Sequence, residues 1–192
     1  MKPLLIGLHG LAGSGKDTVA SHLQGQNSAF YRYAFAEPIR AGLKAMLRIS
    51  PLMFNHPHKE RTLPDINLSP RQLMQSLGTE WGRACVNPDL WIILADQIRI
   101  EAWSRRQPLV ITDVRFENEA HWVRTHGYLW HISRPNNPRH SIHADHTSEQ
   151  GIEYKPLDDF WIENNGTLTD LQDRVKQTLT ATIKRHIERH PT

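Results

Sequence analysis

The chain opens on an apolar run, Leu4–Leu8, that stops at a glycine-rich turn and gives way to helical spacing over Lys16–Gln24. A short apolar run bounded by glycine reads as a buried strand. Ala29–Phe35 is a second, aromatic-rich strand candidate, and Glu37–Arg48 sets Ile39, Leu43, Met46 and Leu47 at helical spacing. Ser50–Leu68 breaks the pattern: it is rich in Pro, His and Asn and reads as a long mobile loop. The next helix has clear start signals, with Ser69 as N-cap, Pro70 in the first turn and Gln72 completing a capping box. At about 100° per residue, Leu73, Met74, Leu77 and Trp81 share one face. Arg71, Gln75, Gly78 and Gly82 share another, which reads as an open polar groove where a ligand can approach the backbone.

The second half repeats the alternation. Asp89–Arg106 is a helix with Trp91, Leu94, Ala95, Ile98 and Ala102 on its core face. Pro108–Thr112 is a strand ending at Asp113, Glu117–Thr125 a helix, Tyr128–Ser133 a strand. Arg134–Pro156 is polar and irregular, Phe160–Glu163 is a short last strand, and Leu171, Val175, Leu179, Ile183 and Ile187 stripe a C-terminal helix. Strands alternating with helices, without repeats or a low-complexity linker, predict an α/β domain with a parallel sheet.

Composition narrows the class. The chain has 192 residues, 39% apolar and 22% charged, as expected of one globular domain. No apolar run approaches the roughly 18 to 20 residues that span a bilayer, and the N-terminal run is too short for a secretory signal. The single cysteine, Cys85, cannot form an internal disulfide, so a cytoplasmic location is expected. A formal charge of +3 suits a small anionic substrate and calls for neither nucleic acid nor a membrane surface.

The first turn carries the chemistry. Gly10-Leu-Ala-Gly13-Ser14-Gly15-Lys16 fits the first seven residues of a phosphate-binding loop and lies between a strand and a helix, as that motif requires. Glycines allow a tight turn whose N–H groups converge on phosphate oxygens, aided by the positive end of the helix. Lys16 is placed to reach the β- and γ-phosphates of ATP. The next residue is Asp17, where a magnesium-binding hydroxyl usually sits, and Thr18 follows one place later. Either Thr18 supports the phosphates while magnesium is held mainly by ATP and water, or Asp17 meets the metal through water.

Other residues point to a second anionic site. Asp113, at the C-terminal end of a parallel strand, falls on the ligand side of the sheet, where it could hold magnesium through water, orient an acceptor phosphate or cap the following helix. Arg40, Arg71, Arg115 and Arg134 carry guanidinium groups suited to phosphate. His140, His143 and His146 match no helical ligand spacing for zinc and read instead as part of a polar lid.

These pieces together resemble the deoxynucleoside monophosphate kinases of bacteriophages and their relatives, within the P-loop kinase group. The resemblance is carried by GLAGSGKDT (Gly10–Thr18), FAEPIR (Phe35–Arg40), RQLMQSLGTEWGR (Arg71–Arg83), NPDLW (Asn87–Trp91), VITDVRFENEA (Val110–Ala120), ISRP with HTSE (Ile132–Pro135, His146–Glu149) and IENNGTLTDL (Ile162–Leu171). It implies a three-layer fold: a five-stranded parallel sheet flanked by helices, an acceptor-binding helical region over 36–107 and a short lid over 134–156, in one domain. It implies ATP and magnesium as cofactors, a small-molecule acceptor, a monomer or homodimer, and the host cytoplasm if the chain is phage-encoded. By position, Gly10, Gly13, Ser14, Gly15, Lys16, Asp17 and Thr18 would hold ATP phosphates, with ENNGT (Glu163–Thr167), Asn165 and Gly166 above all, near the adenine. Arg40 and Arg71 would bind the acceptor phosphate, with Gln75, Asp89 and Trp91 near its base or sugar; the helical stripe also gives Trp91 a core reading. Lys16, Asp113, Arg115 and Arg134 would serve the transfer. The rival readings are a kinase of another small phosphorylated acceptor, such as dephospho-coenzyme A or phosphomevalonate, and an ATP-binding switch that phosphorylates no metabolite.

Overall fold

The computed structural model describes residues 2–27, 30–135 and 151–190. Five strands form one parallel sheet in the order β2-β3-β1-β4-β5. They are β1 (Leu5–His9), β2 (Tyr31–Tyr33), β3 (Leu109–Val114), β4 (Tyr128–Ser133) and β5 (Asp159–Glu163). The central strands read as continuous apolar runs because helices cover both faces of the sheet. Ile6, Leu8, Val110, Tyr128, Trp130, Ile132 and Ile162 pack on one side with Val19, Ala20 and Leu23 of α1 (Lys16–Asn27) and Leu171 and Val175 of α6 (Leu168–Arg189). On the other side Val123 of α5 (Glu117–His126) lies so close to Gly7 that a Cβ there would sit 2.7 Å from it. With β1 in the middle, the chain continues to β2 on one side and reaches β4 on the other. Such a reversal places the ligand crevice beyond the C-terminal strand ends.

The chain divides into two compact units, Met1–Tyr33 with Asp96–Thr192, and Ala34–Ala95, where the sequence suggests a helical region over 36–107. The second unit begins with α2 (Glu37–Leu47), which stops at Arg48 in the left-handed region, φ 52°. The expected mobile loop Ser50–Leu68 is instead built: single turns of 3-10 helix at Pro51–Phe54 and His58–Glu60, then a bridge between Leu63 and Leu68. Ser69 at the head of α3 (Pro70–Gln75) makes both capping-box bonds with Gln72, at 3.3 and 2.8 Å.

Beyond Gln75 the helix widens. Over Ser76–Val86 it takes a π winding, closed by the Asn87 N–H on the Gly82 carbonyl at 2.9 Å. The slower winding breaks the 100° phase on which the sequence reading rests. Trp81, on the expected apolar stripe, is 49% exposed. Gly78 and Gly82 are buried, and the groove expected over them is closed by side chains. A Cβ at Gly78 would meet Ile39 at 2.9 Å, and one at Gly82 would meet the Trp91 ring at 2.3 Å. The close approach that the glycines allow is taken by the protein's own core. α4 (Leu90–Ser104) follows, and Asp96 in it accepts from Trp122 Nε1 of α5 at 3.1 Å.

The C-terminal stripe also needs correction. Residues four apart advance about 40° round a helix at each step, so Leu171 and Ile187 end about 160° apart. Leu171 and Val175 are buried, but Ile183 and Ile187 are 42% and 51% exposed. Their places in the core go to Thr182, which accepts from Trp130 Nε1 at 3.2 Å, and His186, whose Nε2 donates to the Lys2 carbonyl at 2.7 Å. Among the described residues no helix is long and apolar enough to cross a membrane.

Candidate active site

The phosphate loop joins β1 to α1. Gly10, Gly13 and Gly15 have φ of 151°, 80° and 107°, a region closed to ordinary side chains. Space forbids a side chain as well: a Cβ at Gly10 would sit 2.2 Å from the Ile132 carbonyl oxygen, and one at Gly15 would sit 2.6 Å from Asn164 Nδ2. Lys16 Nζ donates to the Gly10 and Leu11 carbonyls, the second at 2.9 Å, so its charge lies over the loop. Ser14 is buried, and its Oγ has no hydrogen-bond partner among the described residues. A glycine cradle at a helix N-terminus, with a lysine across it and an orphaned hydroxyl within, has the donor set that phosphate takes.

Asp17 follows Lys16 in the first turn of α1. Its exposed carboxylate pairs with Arg32 of β2. Thr18 is exposed in the first turn of α1.

Asn164, one residue past β5, belongs to the ENNGT stretch that the resemblance sets near the adenine, and the structure gives it a bond to the phosphate loop. Its Nδ2 donates to the Ser14 carbonyl at 2.9 Å, and its N–H donates to the Ser133 carbonyl at 2.6 Å. Asn164 thus braces the loop against the ends of β4 and β5. Asn165 and Gly166 are exposed and lead into Thr167, the N-cap of α6, which shares a capping box with Asp170.

β3 runs one residue past the predicted end, so Asp113 lies within it, half-buried, and Val114 closes it. Arg115 follows, exposed. The N–H groups of Arg115 and Phe116 go to Glu119, a buried carboxylate in the first turn of α5, at 2.7 and 3.1 Å. Arg134 is exposed just beyond β4. Most of the lid-like segment, with His140, His143, His146 and HTSE, lies outside the described residues.

The remaining candidates lie in the helical unit. Arg40 is exposed on α2. Arg71 is half-buried on α3, its Nη1 3.4 Å from Glu60 Oε1 in the 3-10 turn His58–Glu60. Gln75 is half-buried at the end of α3, and Asp89 is exposed at the head of α4, its N–H on Asn87 Oδ1 at 2.8 Å. Trp91 is 5% exposed, and its indole N–H donates to the Gly78 carbonyl at 2.8 Å, so the core reading describes it.

The sheet order and the glycine loop define a P-loop kinase fold. Solved structures agree: a Thermus thermophilus protein aligns over 94% of this chain and 98% of its own at a TM-score of 0.53 and 20% identity. The dephospho-CoA kinase of Campylobacter jejuni aligns over 93% and 96% at 0.51 and 14%. The family model for deoxynucleotide monophosphate kinase matches residues 53–175, and the chain belongs to that family. The deoxynucleoside-5'-monophosphate kinase of Escherichia phage T5 is 28% identical over 219 aligned positions, covering 79% of this chain and 86% of that one. A protein of Acanthamoeba polyphaga mimivirus, whose name proposes a deoxynucleotide monophosphate kinase, is 30% identical, covering 90% and 94%.

Proposed function

We propose that this protein transfers the γ-phosphoryl group of ATP to the phosphate of a deoxynucleoside monophosphate. An acceptor phosphate oxygen attacks the γ-phosphorus in line. The new P–O bond forms as the bond to the β–γ bridging oxygen breaks, leaving ADP and the deoxynucleoside diphosphate. The observation that carries the reading is the phosphate loop, with its left-handed glycines and Lys16, in a chain of this family.

The acceptor is already an anion, so no strong general base is required; positioning and charge neutralisation carry the rate. In this reading the N–H groups of Gly13 to Lys16 hold the ATP phosphates, and Lys16 offsets charge that develops on transfer. Arg115 and Arg134 steady the moving phosphoryl group. Arg40 and Arg71 hold the acceptor phosphate, with Gln75 and Asp89 toward its base or sugar, and Asn165 and Gly166 border the adenine. Asp17, Thr18 and Asp113 offer the hard oxygen donors that suit magnesium, partly through water, and Asp17 would meet it while paired with Arg32 or on leaving that exposed pair. Magnesium, when bound, draws charge off the phosphate oxygens.

The test is product analysis. Protein incubated with Mg-ATP and each deoxynucleoside monophosphate is resolved by anion-exchange chromatography. Equal amounts of ADP and the matching diphosphate are expected for at least one acceptor. Phosphorylation of dephospho-coenzyme A or phosphomevalonate alone would transfer the reading to another small-acceptor kinase. ATP hydrolysis that ignores every acceptor would favour a switch.

A further inference from the structure

The pairing of β1 with β3 slips at its C-terminal end. Gly7 lies opposite Ile111 but His9 lies opposite Val114, so two steps along β1 face three along β3. The extra residue forms a bulge over Thr112–Asp113. Bulges interrupt the ladder and re-aim the side chains they carry, and this one carries Asp113.

His9 ties the strand just beyond the bulge, where Val114 is its register partner. It is the polar end of a strand that is otherwise apolar, and it directly precedes Gly10. Its Nδ1 lies 3.0 Å from the Val114 carbonyl oxygen, which only accepts, so Nδ1 carries the proton. The Ile152 N–H reaches Nε2 at 3.4 Å and only donates, so Nε2 is bare. The two contacts define one neutral tautomer. Burial pushes the ring pKa down to about 4, against the pull of the Val114 bond, which keeps that tautomer near neutral pH. The His131 ring stands edge-on at 5.2 Å on the β4 side and limits rotation.

We propose that His9 is a positioning residue for phosphoryl transfer: by holding the Val114 carbonyl it fixes the bulge, and so sets Asp113 in register with the phosphate loop that starts at the next residue. The inference rests on the reading of Asp113 as a group that acts on the phosphates.

The test compares kcat and ATP affinity in His9→Ala, His9→Asn, His9→Gln, Asp113→Asn and the double variant His9→Ala/Asp113→Asn. Asparagine sets an N–H donor near the position of Nδ1 and keeps the Val114 bond. Glutamine reaches the position of Nε2 and keeps only the Ile152 contact. His9→Ala and His9→Gln are expected to lower kcat about tenfold or more with ATP affinity held within about threefold, and His9→Asn to recover most of the loss. The double variant is expected to be no slower than Asp113→Asn, the non-additivity of a residue acting through another. Thermal unfolding of the Asn and Gln variants at matching temperatures would separate this effect from misfolding. Equal loss of kcat in the two variants, a difference in kcat that follows a difference in unfolding temperature, or effects that multiply in the double variant, would overturn the inference. So would an unimpaired His9→Ala beside a slow Asp113→Asn, which would leave the reading of Asp113 standing. A wild-type rate in Asp113→Asn would overturn that reading and the inference with it.

Discussion

Asn164 donates its side-chain N–H to the carbonyl of Ser14 at 2.9 Å, joining the end of the last strand to the middle of the phosphate loop. A single neutral hydrogen bond contributes about 1 kcal/mol net. Asn164→Ala is therefore expected to raise the KM for ATP about fivefold, with a smaller change in kcat. Gly15→Ala should be far worse, because its Cβ would sit 2.6 Å from Asn164 Nδ2 at a φ of 107°. Titration calorimetry with ATP checks both: near-normal affinity in Gly15→Ala would contradict the loop geometry.

Asp159 concentrates the buried charge of the sheet. Arg124 Nε and Nη2 reach its two oxygens at 2.9 and 2.8 Å, His131 Nε2 lies 2.9 Å away, and the Lys155 N–H donates at 2.8 Å. Burial alone would raise its pKa, but the bonds from Arg124 and His131 outweigh it and hold the carboxyl well below the usual carboxylate range. The folded value lies below the unfolded one, so the stabilisation is complete above the unfolded value of about 3.9 and drains away as pH falls beneath it. Asp159→Asn should cost about 3 kcal/mol or more at neutral pH by leaving Arg124 without its buried partner. It should also flatten the loss of stability below about pH 4. Urea unfolding of both proteins across that range is the measurement, and parallel pH profiles would refute the assignment.

Trp91 and Gly82 form a packed pair. Replacing Trp91 by alanine removes a buried ring and its bond to the Gly78 carbonyl, an expected loss of about 3 to 5 kcal/mol. Trp91→Phe keeps most of the packing and is expected to cost about 1 kcal/mol. If acceptor KM rose in Trp91→Phe with stability unchanged, Trp91 would be a ligand contact rather than a core residue.

Arg71, proposed above for the acceptor phosphate, has Glu60 Oε1 3.4 Å from its Nη1. Arg71→Ala is expected to raise the acceptor KM about a hundredfold, in line with losing a charged hydrogen bond to phosphate. Glu60→Gln, which loosens a long and partly exposed pair, should change it less than about fivefold. Steady-state kinetics at saturating ATP decides this, and an unchanged KM in Arg71→Ala would remove Arg71 from the site.

How far these features could be read from the sequence depended on how local their causes are. The phosphate loop was legible because its glycines, lysine and flanking elements lie within about ten residues and obey one steric rule. The capping box at Ser69 was legible for the same reason. The helix face over Arg71–Gly82 was misread because the winding widens at Ser76, and a fixed 100° period cannot register that. The stripe from Leu171 to Ile187 failed through drift of the four-residue repeat, while the buried partners Thr182 and His186 are polar and met only in three dimensions. The bond of Asn164 to Ser14, and the roles of Glu60 and His9, could not be read because each acts through a residue distant in sequence or through a bulge between strands.

The most direct test of the account is the initial rate of ADP release with Mg-ATP, measured with and without each deoxynucleoside monophosphate, for the natural chain and for Lys16→Ala. The account predicts release that requires an acceptor and falls at least about a hundredfold in Lys16→Ala, which removes the ammonium proposed to offset charge on the transferring phosphoryl group. Release at the same rate without any acceptor, or undiminished in Lys16→Ala, would contradict it.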